Sequence, residues 1–507
     1  MLHRWATTLL LVLTTSTTAA ADPTIEAIRE KVRVAVGYDA FQKLEHGVRI
    51  VVKDKSDPKV TSVCFLHRDG RFAIHDARFG MAKGFDGRSA WQRGFNNPPL
   101  PEDLRVGEAI RLLGGLLTHQ WLSPASGYVV DTDPVESRSY RLCVRVHSSG
   151  GNSGFGRVYL DPATWLPTQF TVQQDQNATV AEVSAYRDIS GTKVFSRFEV
   201  NRYISESEMV PESVAVNLPG SNPFSPPTPA NDTQFDPSVP KAVEARAAGG
   251  FLLVRPSING KPGPWLLVNT GMCATVLTRP AADRLGLARV AMTAQGHGYS
   301  RPIDRFTLGP ATIRGLTTAE FANEIPTLCA ALTGVEVGGY LGADVLARCV
   351  MEGNWSTGTV TLHEPAGYFP PPAAVWEPAW FDAGVPHIFA RVERRHAGLF
   401  RVLTGINYPL HLHPAVVRDR GLLDGRKTEP YELLTGSGPT FCRVGMVAEL
   451  RMFGQRLPQV ATRFDADVSQ SERQYPRLLG ELNPCIFPNG VIVFDYPGRR
   501  IGLRRQP

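Results

Sequence analysis

The sequence of 507 residues contains only seven cysteines, and no two of them are separated by two residues. The missing Cys-x-x-Cys spacing excludes a zinc ribbon and a thioredoxin-type motif. Beyond the first residues, no apolar run approaches the ~20 residues that span a bilayer, so we expect no transmembrane segment. The net charge of +6 is spread along the chain without a basic block. We therefore expect a solvated surface and no nucleic-acid partner.

The N-terminus has the layout of a secretory signal peptide. His3 and Arg4 precede the apolar stretch 5–13, and Ala19, Ala20 and Ala21 stand before Asp22. This order of basic, apolar and small residues predicts a signal peptide over residues 1–21. The mature chain should then be exported, to a periplasm or to the outside of the cell.

An exported chain meets an oxidising compartment in which cysteines pair, and an odd number leaves at least one thiol over. We expect the bonds to form within domains and Cys273 to remain unpaired. The expected pairs are Cys64–Cys143, Cys329–Cys349 and Cys442–Cys485.

Proline-rich stretches divide the chain. Residues 219–240 are rich in proline and small polar residues and have almost no aliphatic content, which is typical of a semi-rigid linker. Pro370, Pro371 and Pro372 form a second, shorter break. These breaks predict domains over 22–218, 241–368 and 373–507.

The first domain alternates apolar and polar residues over many short runs, with a helix near residue 25 and a Leu-rich helix at about 102–118. The pattern predicts a single curved antiparallel sheet with a few helices. The segments 84–92, 158–167 and 186–194 resemble the LolA/LolB-like lipoprotein carriers. That resemblance implies that the curved antiparallel sheet is a half-barrel with an apolar cavity for a lipid or acyl chain. The alternative is structural: these segments are turns, and Trp91 and Trp165 fill a core.

The remainder of the chain contains two copies of a similar sequence pattern. Residues 266–277 and 400–412 each run from an apolar strand through Thr-Gly into a second apolar strand, and Asn269 and Leu403 precede the two Thr-Gly pairs. Each elbow is followed by a short helix, then by a glycine-rich hairpin, an apolar-apolar-Gly segment and a terminal strand pair. A repeat of this length indicates internal duplication.

This doubled order resembles the two-lobed retropepsin/pepsin family of aspartic proteases, and implies a mainly-β fold with two similar lobes. Asn269 and Leu403 fall on the positions of the two catalytic Asp residues. Thr270 and Thr404 match family threonines that form hydrogen bonds across the lobe interface. Gly271 and Gly405 match glycines that allow the tight turns. Leu341-Gly342 and Leu479-Gly480 would pack beneath the elbows. The candidate substrate-covering flaps carry Gly296 and Gly298 in one lobe and Gly436 and Gly438 in the other.

The substitutions remove the chemistry that this family uses. Its paired carboxylates share a proton and act as base and acid, whereas an amide does not accept a proton near neutral pH and an alkyl group offers no hydrogen bond. We therefore expect no catalytic residue, cofactor or metal. The weaker alternatives are an acid role for Asp344 or Asp495, a thiol nucleophile at Cys273 with His297, and a metal pair at His411 and His413.

Three functions follow from these patterns. The first is an exported, catalytically inactive protease homologue that binds a peptide or protein in its cleft. The second is a lipid or lipoprotein carrier that uses the first domain. The third is an active peptidase with a non-standard acid pair.

Overall fold

The computed structural model describes residues 24–76, 80–94, 98–132, 142–148, 154–174, 177–200, 208–216, 222–227, 232–292, 298–321, 333–435, 438–465 and 478–505. Strands dominate this part of the chain, and the predicted mainly-β fold with few helices is confirmed. The described α-helices are α1 (Ile25–Val36), α2 (Tyr38–Phe41), α3 (Arg105–Leu117), α4 (Arg279–Leu285), α5 (Ala343–Leu346) and α6 (Pro414–Asp419). No helix within the described ranges is long and apolar enough to cross a membrane.

The first domain contains two antiparallel sheets where one curved sheet was predicted. The strands are β1 (Val48–Asp54), β2 (Thr61–Leu66), β3 (Phe72–Asp76), β4 (Met81–Phe85), β5 (Ala90–Arg93), β6 (Leu100–Glu102), β7 (Tyr128–Thr132), β8 (Leu142–Ser148), β9 (Phe155–Leu160), β10 (Pro167–Gln174), β11 (Asn177–Ile189), β12 (Thr192–Val200) and β13 (Met209–Val216). One sheet has the order β13-β1-β2-β3-β4-β5-β6 and the other β12-β11-β10-β9-β8-β7. Strands β12 and β13 lie next to each other, so the two sheets meet along one edge.

Two helices pack against these sheets because each presents a continuous apolar face. Helix α1 is capped by Thr24, whose hydroxyl accepts a hydrogen bond from the N–H of Ala27 at 3.2 Å, and it ends at Gly37 with φ of 63°. Helix α3 contacts strands of both sheets. Its buried leucines join the same core as Trp121 and Phe170, and these side chains occupy the space between the sheets.

The two tryptophans fit the structural interpretation. Trp91 is buried, and its indole N–H donates to the carbonyl of Phe224 at 2.9 Å. Trp165 packs at the edge of the main core. The aromatic side chains therefore serve packing, which is their usual role in strands.

Two described parts of the proline-rich stretch, residues 222–227 and 232–240, contact neighbouring domains. Phe224 is buried against the first domain, where its ring packs against His67. Strand β14 (Thr233–Phe235) pairs with a strand of the first lobe. One aromatic ring and one three-residue strand thus contact the neighbouring domains, and the linker assignment stays a prediction.

The first lobe contributes two sheets. Its strands are β15 (Ala245–Ala248), β16 (Phe251–Val254), β17 (Ser257–Ile258), β18 (Lys261–Pro262), β19 (Trp265–Val268), β20 (Val276–Thr278), β21 (Arg289–Met292), β22 (Gly298–Ser300), β23 (Phe306–Leu308), β24 (Ala311–Ile313), β25 (Ala319–Phe321) and β26 (Val337–Leu341). The larger sheet has the order β15-β16-β19-β26-β20-β25-β22-β21, and the smaller β14-β24-β23-β17-β18. In the larger sheet, β19 pairs with β26 in parallel and so brings the elbow strand into its centre.

The second lobe repeats the larger sheet. Its strands are β30 (Trp380–Asp382), β31 (Val385–Val392), β32 (His396–Val402), β33 (Leu410–Leu412), β34 (Thr428–Thr435), β35 (Gly438–Met452), β36 (Gln455–Asp465) and β37 (Leu478–Leu482). The order is β30-β31-β32-β37-β33-β36-β35-β34, and β32 pairs with β37 in parallel. The same strand arrangement thus surrounds each elbow.

A further sheet joins the lobes. It contains β27 (Val350–Asn354), β28 (Thr359–His363), β29 (Ala374–Pro378), β38 (Gly490–Asp495) and β39 (Arg500–Arg505), in the order β28-β27-β38-β39-β29. The two predicted terminal strand pairs therefore meet in one sheet. One hydrophobic core runs through both lobes, from Leu252 to Leu503.

The first domain contacts the lobes through its edge strand β6. The backbone N–H of Phe381 donates to a carboxylate oxygen of Asp103 at 2.8 Å, and Arg499 reaches both oxygens of that carboxylate at 2.7 Å. At the start of α3, the N–H of Val106 donates to Asp382 at 2.8 Å. Residues far apart in sequence thus hold the domains together.

Two of the expected disulfides are wrong. Cys64 is a buried free thiol in one sheet of the first domain, and the thiol of Cys143, in the other sheet, lies 3.8 Å from a backbone carbonyl. Cys442 and Cys485 also remain thiols. Cys329 lies outside the described residues, and Cys349 is free. Domain membership alone did not bring any of the described cysteines into bonding distance.

Candidate functional site

The two elbows are built in the same way. Each follows the central strand of a lobe, β19 or β32, and leads into the neighbouring strand β20 or β33. The N–H of Asn269 donates to the carbonyl of Leu341 at 2.9 Å, and the N–H of Leu403 donates to that of Leu482 at 2.8 Å. The parallel strand of each lobe therefore fixes the residue before Thr-Gly.

A symmetric hydrogen-bond network joins the elbows. The N–H of Thr270 donates to the hydroxyl of Thr404 at 3.0 Å, and the N–H of Thr404 donates to the hydroxyl of Thr270 at 3.1 Å. Each hydroxyl then donates to a carbonyl of the opposite lobe, that of Val402 or Val268, at 2.5 Å. Both threonines are fully buried. The network relates the lobes by an approximate twofold axis.

This network brings Asn269 and Leu403 together. An added Cβ at Gly271 would lie 3.1 Å from both Asn269 Oδ1 and Leu403 Cδ2. At Gly405 it would lie 2.5 Å from the Asn269 amide, so only glycine fits. The Asn269 Oδ1 accepts the N–H of Gly271 at 2.9 Å. An amide and an alkyl group thus occupy the centre of the lobe junction.

The pairing of segments beneath the elbows differs from the sequence alignment. Gly339 pairs with Leu266 and Gly480 with Phe400, so these two glycines are equivalent. An added Cβ at either would lie 1.9 Å from a carbonyl of the strand alongside. Matching Gly342 to Gly480 was therefore wrong by three residues. Glycine is required at positions 339 and 480 because the neighbouring strand lies too close for a Cβ. The apolar-apolar-Gly pattern does not identify these positions.

The alternative acids hold local structure. Asp344 is buried and accepts hydrogen bonds from the Thr275 N–H at 2.7 Å and hydroxyl at 2.6 Å. Burial raises the pKa of this carboxyl. Asp495 accepts from the N–H of Gly498 at 2.8 Å and from Arg500 Nε at 2.7 Å. Each carboxylate thus has local partners, and the two lie on different elements.

The candidate thiol lies at a contact between the lobes. Cys273 is exposed, and the turn at Gly384 would place a Cβ 3.8 Å from its Cα. In the equivalent turn, a Cβ added at Gly250 would lie 3.5 Å from the Cα of Asn407. Its suggested base, His297, lies outside the described residues.

The two candidate flaps are hairpins. Strands β21 and β22 pair antiparallel, as do β34 and β35. Gly298 begins β22 and Gly438 begins β35. Gly296 and Gly436 lie outside the described residues.

A polar cluster lies in the second lobe, and the sequence analysis missed one of its members. Glu481 stands directly opposite His411 in the sheet, and the potential metal-ligand atoms of His411, His413 and Glu481 all lie within 4.8 Å of one another. The sequence analysis found no third ligand because Glu481 lies 70 residues from His411 in the chain. These residue types can hold a divalent metal.

The charges around the cluster favour ion pairing over a metal. His411 Nδ1 lies 2.9 Å from Glu481, and Nε2 lies 2.5 Å from Asp465. Burial alone would lower the pKa of His411, but its hydrogen bonds to Asp465 and Glu481 hold the pKa above its ordinary value. Arg463 lies 2.9 Å from the same ring, and Arg401 lies 3.6 Å from Glu481. These cations already balance the carboxylates and oppose a dication.

No family model matches the chain, and no curated protein matches it. Among solved structures, the chain is similar to an aspartic proteinase from Irpex lacteus, with 13% sequence identity and a TM-score of 0.33. The match covers 52% of this chain and 97% of that one. Similarity at this level transfers no activity, substrate or site residue.

Proposed function

We propose that this protein is an exported, non-hydrolytic binding protein that holds a peptide or protein segment between two aspartic-protease-like lobes. The observation that carries the proposal is the contact of Asn269 and Leu403 with the opposite elbows, on top of the Thr270–Thr404 network. The two elbows and the threonine network are present, and Asn269 and Leu403 stand at the positions where the resemblance implies two carboxylates.

The replacement removes each step of peptide hydrolysis by this route. Two adjacent carboxylates cannot both ionise, so one acts as base on a water while the other donates a proton. Asn269 can orient a water through its amide, but its Oδ1 is already bonded to the N–H of Gly271. Leu403 can neither orient a water nor transfer a proton. The geometry therefore supports binding without cleavage.

The second hairpin adds apolar surface for such a ligand. Phe441 is 64% exposed and Tyr431 is 41% exposed on the paired strands β34 and β35. They belong to adjacent cross-strand pairs, so their side chains lie on opposite faces of the hairpin. Exposed aromatic side chains are enriched where proteins bind partners. Each face of the hairpin thus offers one exposed aromatic side chain to a ligand that has apolar side chains.

The test compares the parent with the double variant Asn269→Asp, Leu403→Asp. Both proteins are incubated at acidic pH with a mixture of unfolded peptides, cleavage is followed by mass spectrometry, and binding by fluorescence anisotropy of a labelled peptide. We expect the parent to bind and not to cleave, and the double variant to cleave. The control variant Asn269→Asp, Leu403→Asn carries one acid and should remain inactive.

Cleavage by the parent would contradict the proposal, because no acid pair stands at the elbows. If the parent neither binds nor cleaves peptides, the proposed peptide-binding function is wrong. Cleavage by the double variant would show that the cleft admits a peptide.

A further inference from the structure

Five exposed arginines lie together in the second lobe, and we call them the arginine patch. Arg391 lies near the end of β31, and Arg394 and Arg395 belong to the turn between β31 and β32. Arg451 and Arg456 lie on either side of the turn between β35 and β36. Strand β31 pairs with β35, so the two groups of arginines adjoin each other.

The strand register places three of these arginines in a row. Arg391 stands directly opposite Arg451, and Arg451 stands directly opposite Arg456. Side chains of directly opposite residues lie on the same face of a sheet, and like charges in such pairs destabilise it. Three guanidinium groups on one face are therefore unfavourable for folding.

The turn of the first hairpin is also unfavourable for its sequence. Glu393 and Arg394 have φ of 50° and 58°. Hairpin turns with positive φ ordinarily have asparagine, aspartate or glycine at such positions. Because neither the register nor the turn favours arginine, folding does not explain why arginines are concentrated here.

The acidic side chains of the two hairpins do not balance the patch. The buried carboxylate of Glu449 pairs with three guanidinium groups at once, those of Arg394, Arg451 and Arg456. Glu393 pairs with Arg426 at 2.7 Å, which lies outside the patch. The other two arginines of the patch form no ion pair with a described residue.

The neighbouring elements do not supply the missing negative charge. The sheet that joins the lobes places Glu377 near the N–H of Phe453 and Arg505 at 2.7 Å from Gln455, and these two charges are opposite. The segment 418–427, which contributes the partner of Glu393, contains four cationic and two acidic residues. The patch therefore has a surplus of positive charge.

An exposed aromatic side chain borders the patch. Phe389 is 48% exposed and lies two residues before Arg391 on β31, so both side chains lie on the same face. A soluble polyanion offers anionic groups and no apolar surface for this ring. A membrane with anionic lipids offers both, because its phosphate groups lie next to the acyl chains.

We propose that the arginine patch docks this protein on a membrane surface that contains anionic phospholipids. The guanidinium groups pair with headgroup phosphates, which match their planar fork. The ring of Phe389 enters the boundary between headgroups and acyl chains. The patch shares no residue with the two elbows, and this proposal does not depend on peptide binding in the cleft.

The first experiment is co-sedimentation of the mature chain with phosphatidylcholine vesicles, either pure or with about 30% phosphatidylglycerol. We expect about tenfold tighter binding to the anionic vesicles, and most of that difference should disappear in about 0.5 M salt, which screens exposed charges. Equal binding to both kinds of vesicle would overturn the proposal.

The variant Arg391→Gln, Arg395→Gln removes the two arginines that have no described ion-pair partner. It should bind the anionic vesicles about tenfold more weakly, and its urea midpoint should not fall, because only repulsion is removed. The matched control is Arg246→Gln, Arg314→Gln, which removes two exposed arginines of the first lobe and should bind as the parent does. Equal losses in both variants, or a loss in neither, would contradict docking through the patch.

The second experiment separates a membrane from a soluble polyanion. Phe389→Ser should weaken binding to the anionic vesicles about fivefold and leave binding to polyphosphate unchanged. If Phe389→Ser binds the vesicles as the parent does, the patch is a site for soluble polyanions and the membrane proposal is wrong.

A labelling experiment on the parent decides the matter if a variant does not fold. Phenylglyoxal reacts with exposed guanidinium groups, and the modified peptides are measured by mass spectrometry. Anionic vesicles should slow the modification of Arg394 and Arg395 about threefold, whereas the rate at Arg246 should stay the same. Unprotected Arg394 and Arg395 would overturn the proposal.

Discussion

Thr270 and Thr404 exchange equivalent hydrogen bonds across the lobe interface, with N–H to hydroxyl distances of 3.0 and 3.1 Å. Each hydroxyl is at once an acceptor for the opposite N–H and a donor to the opposite lobe's carbonyl. Loss of the Thr404 hydroxyl therefore leaves the N–H of Thr270 and the carbonyl of Val268, both in the first lobe, without this partner.

Thr404→Val keeps the shape of the side chain and removes this hydroxyl. We expect the free energy of unfolding to fall by about 2–4 kcal/mol, because a buried N–H and a buried carbonyl lose their partners. Urea denaturation measures the change. Thr61→Val, at a half-buried strand position, is the matched control and should change stability by less than about 1 kcal/mol. An equal loss in both variants would contradict a special role for the network.

Pepstatin-like inhibitors should bind the parent poorly. Such inhibitors place a hydroxyl between two carboxylates, and charge-assisted hydrogen bonds supply much of their affinity. Here the hydroxyl would meet the Asn269 amide and the Leu403 side chain. Calorimetry should show at least a hundredfold gain in affinity for the variant with Asp at both positions, and tight binding by the parent would refute this reasoning.

Glu352 should make stability depend on pH in the acidic range. His363 at 3.4 Å and Arg504 at 2.8 Å lower the pKa of Glu352 to about 2, although burial acts against ionisation. A carboxyl with a lowered folded-state pKa stabilises the fold above its unfolded pKa, and this contribution is lost as pH falls toward 2. We expect roughly 2 kcal/mol to be lost between about pH 4.5 and pH 2.

The variant Glu352→Gln should lack that part of the pH dependence. Urea midpoints measured at several pH values would show it. Glu364→Gln, at an exposed position in the same region, is the control and should keep the dependence of the parent. A parent curve that does not change over this range would contradict the assignment.

Asp103→Ala should loosen the first domain from the lobes. The substitution removes the acceptor for the N–H of Phe381 and both contacts to Arg499. We expect faster proteolytic cleavage within residues 219–240, since that stretch connects the separated parts. Limited proteolysis with fragment masses measures it, and Asp57→Ala at an exposed turn serves as control. Equal cleavage rates would show that other contacts hold the domains.

Local patterns determined several features correctly. A β-strand can be predicted from the alternation of apolar and polar residues, which depends only on residues two positions apart in the sequence. The mainly-β fold was predicted from this alternation. The two Thr-Gly elbows can also be recognised locally, because the same short sequence makes the strand turn in each copy. The sequence alone therefore placed Asn269, Leu403 and the two threonines at equivalent positions, and the structure brings these four residues together.

Only the tertiary structure decided the features that depend on register and long-range pairing. Glu481 stands opposite His411 because strands β33 and β37 pair in one register, and residues 70 apart in the chain show no such pairing in the sequence. The cysteines stay apart because membership of one domain does not set the distance between two strands. The arginine patch comes from two hairpins that are distant in the chain, so no single segment of the sequence shows a basic block. The burial and the charge of these groups depend on contacts between residues that are distant in the chain. Hydrophobic periodicity and motif spacing do not specify such contacts.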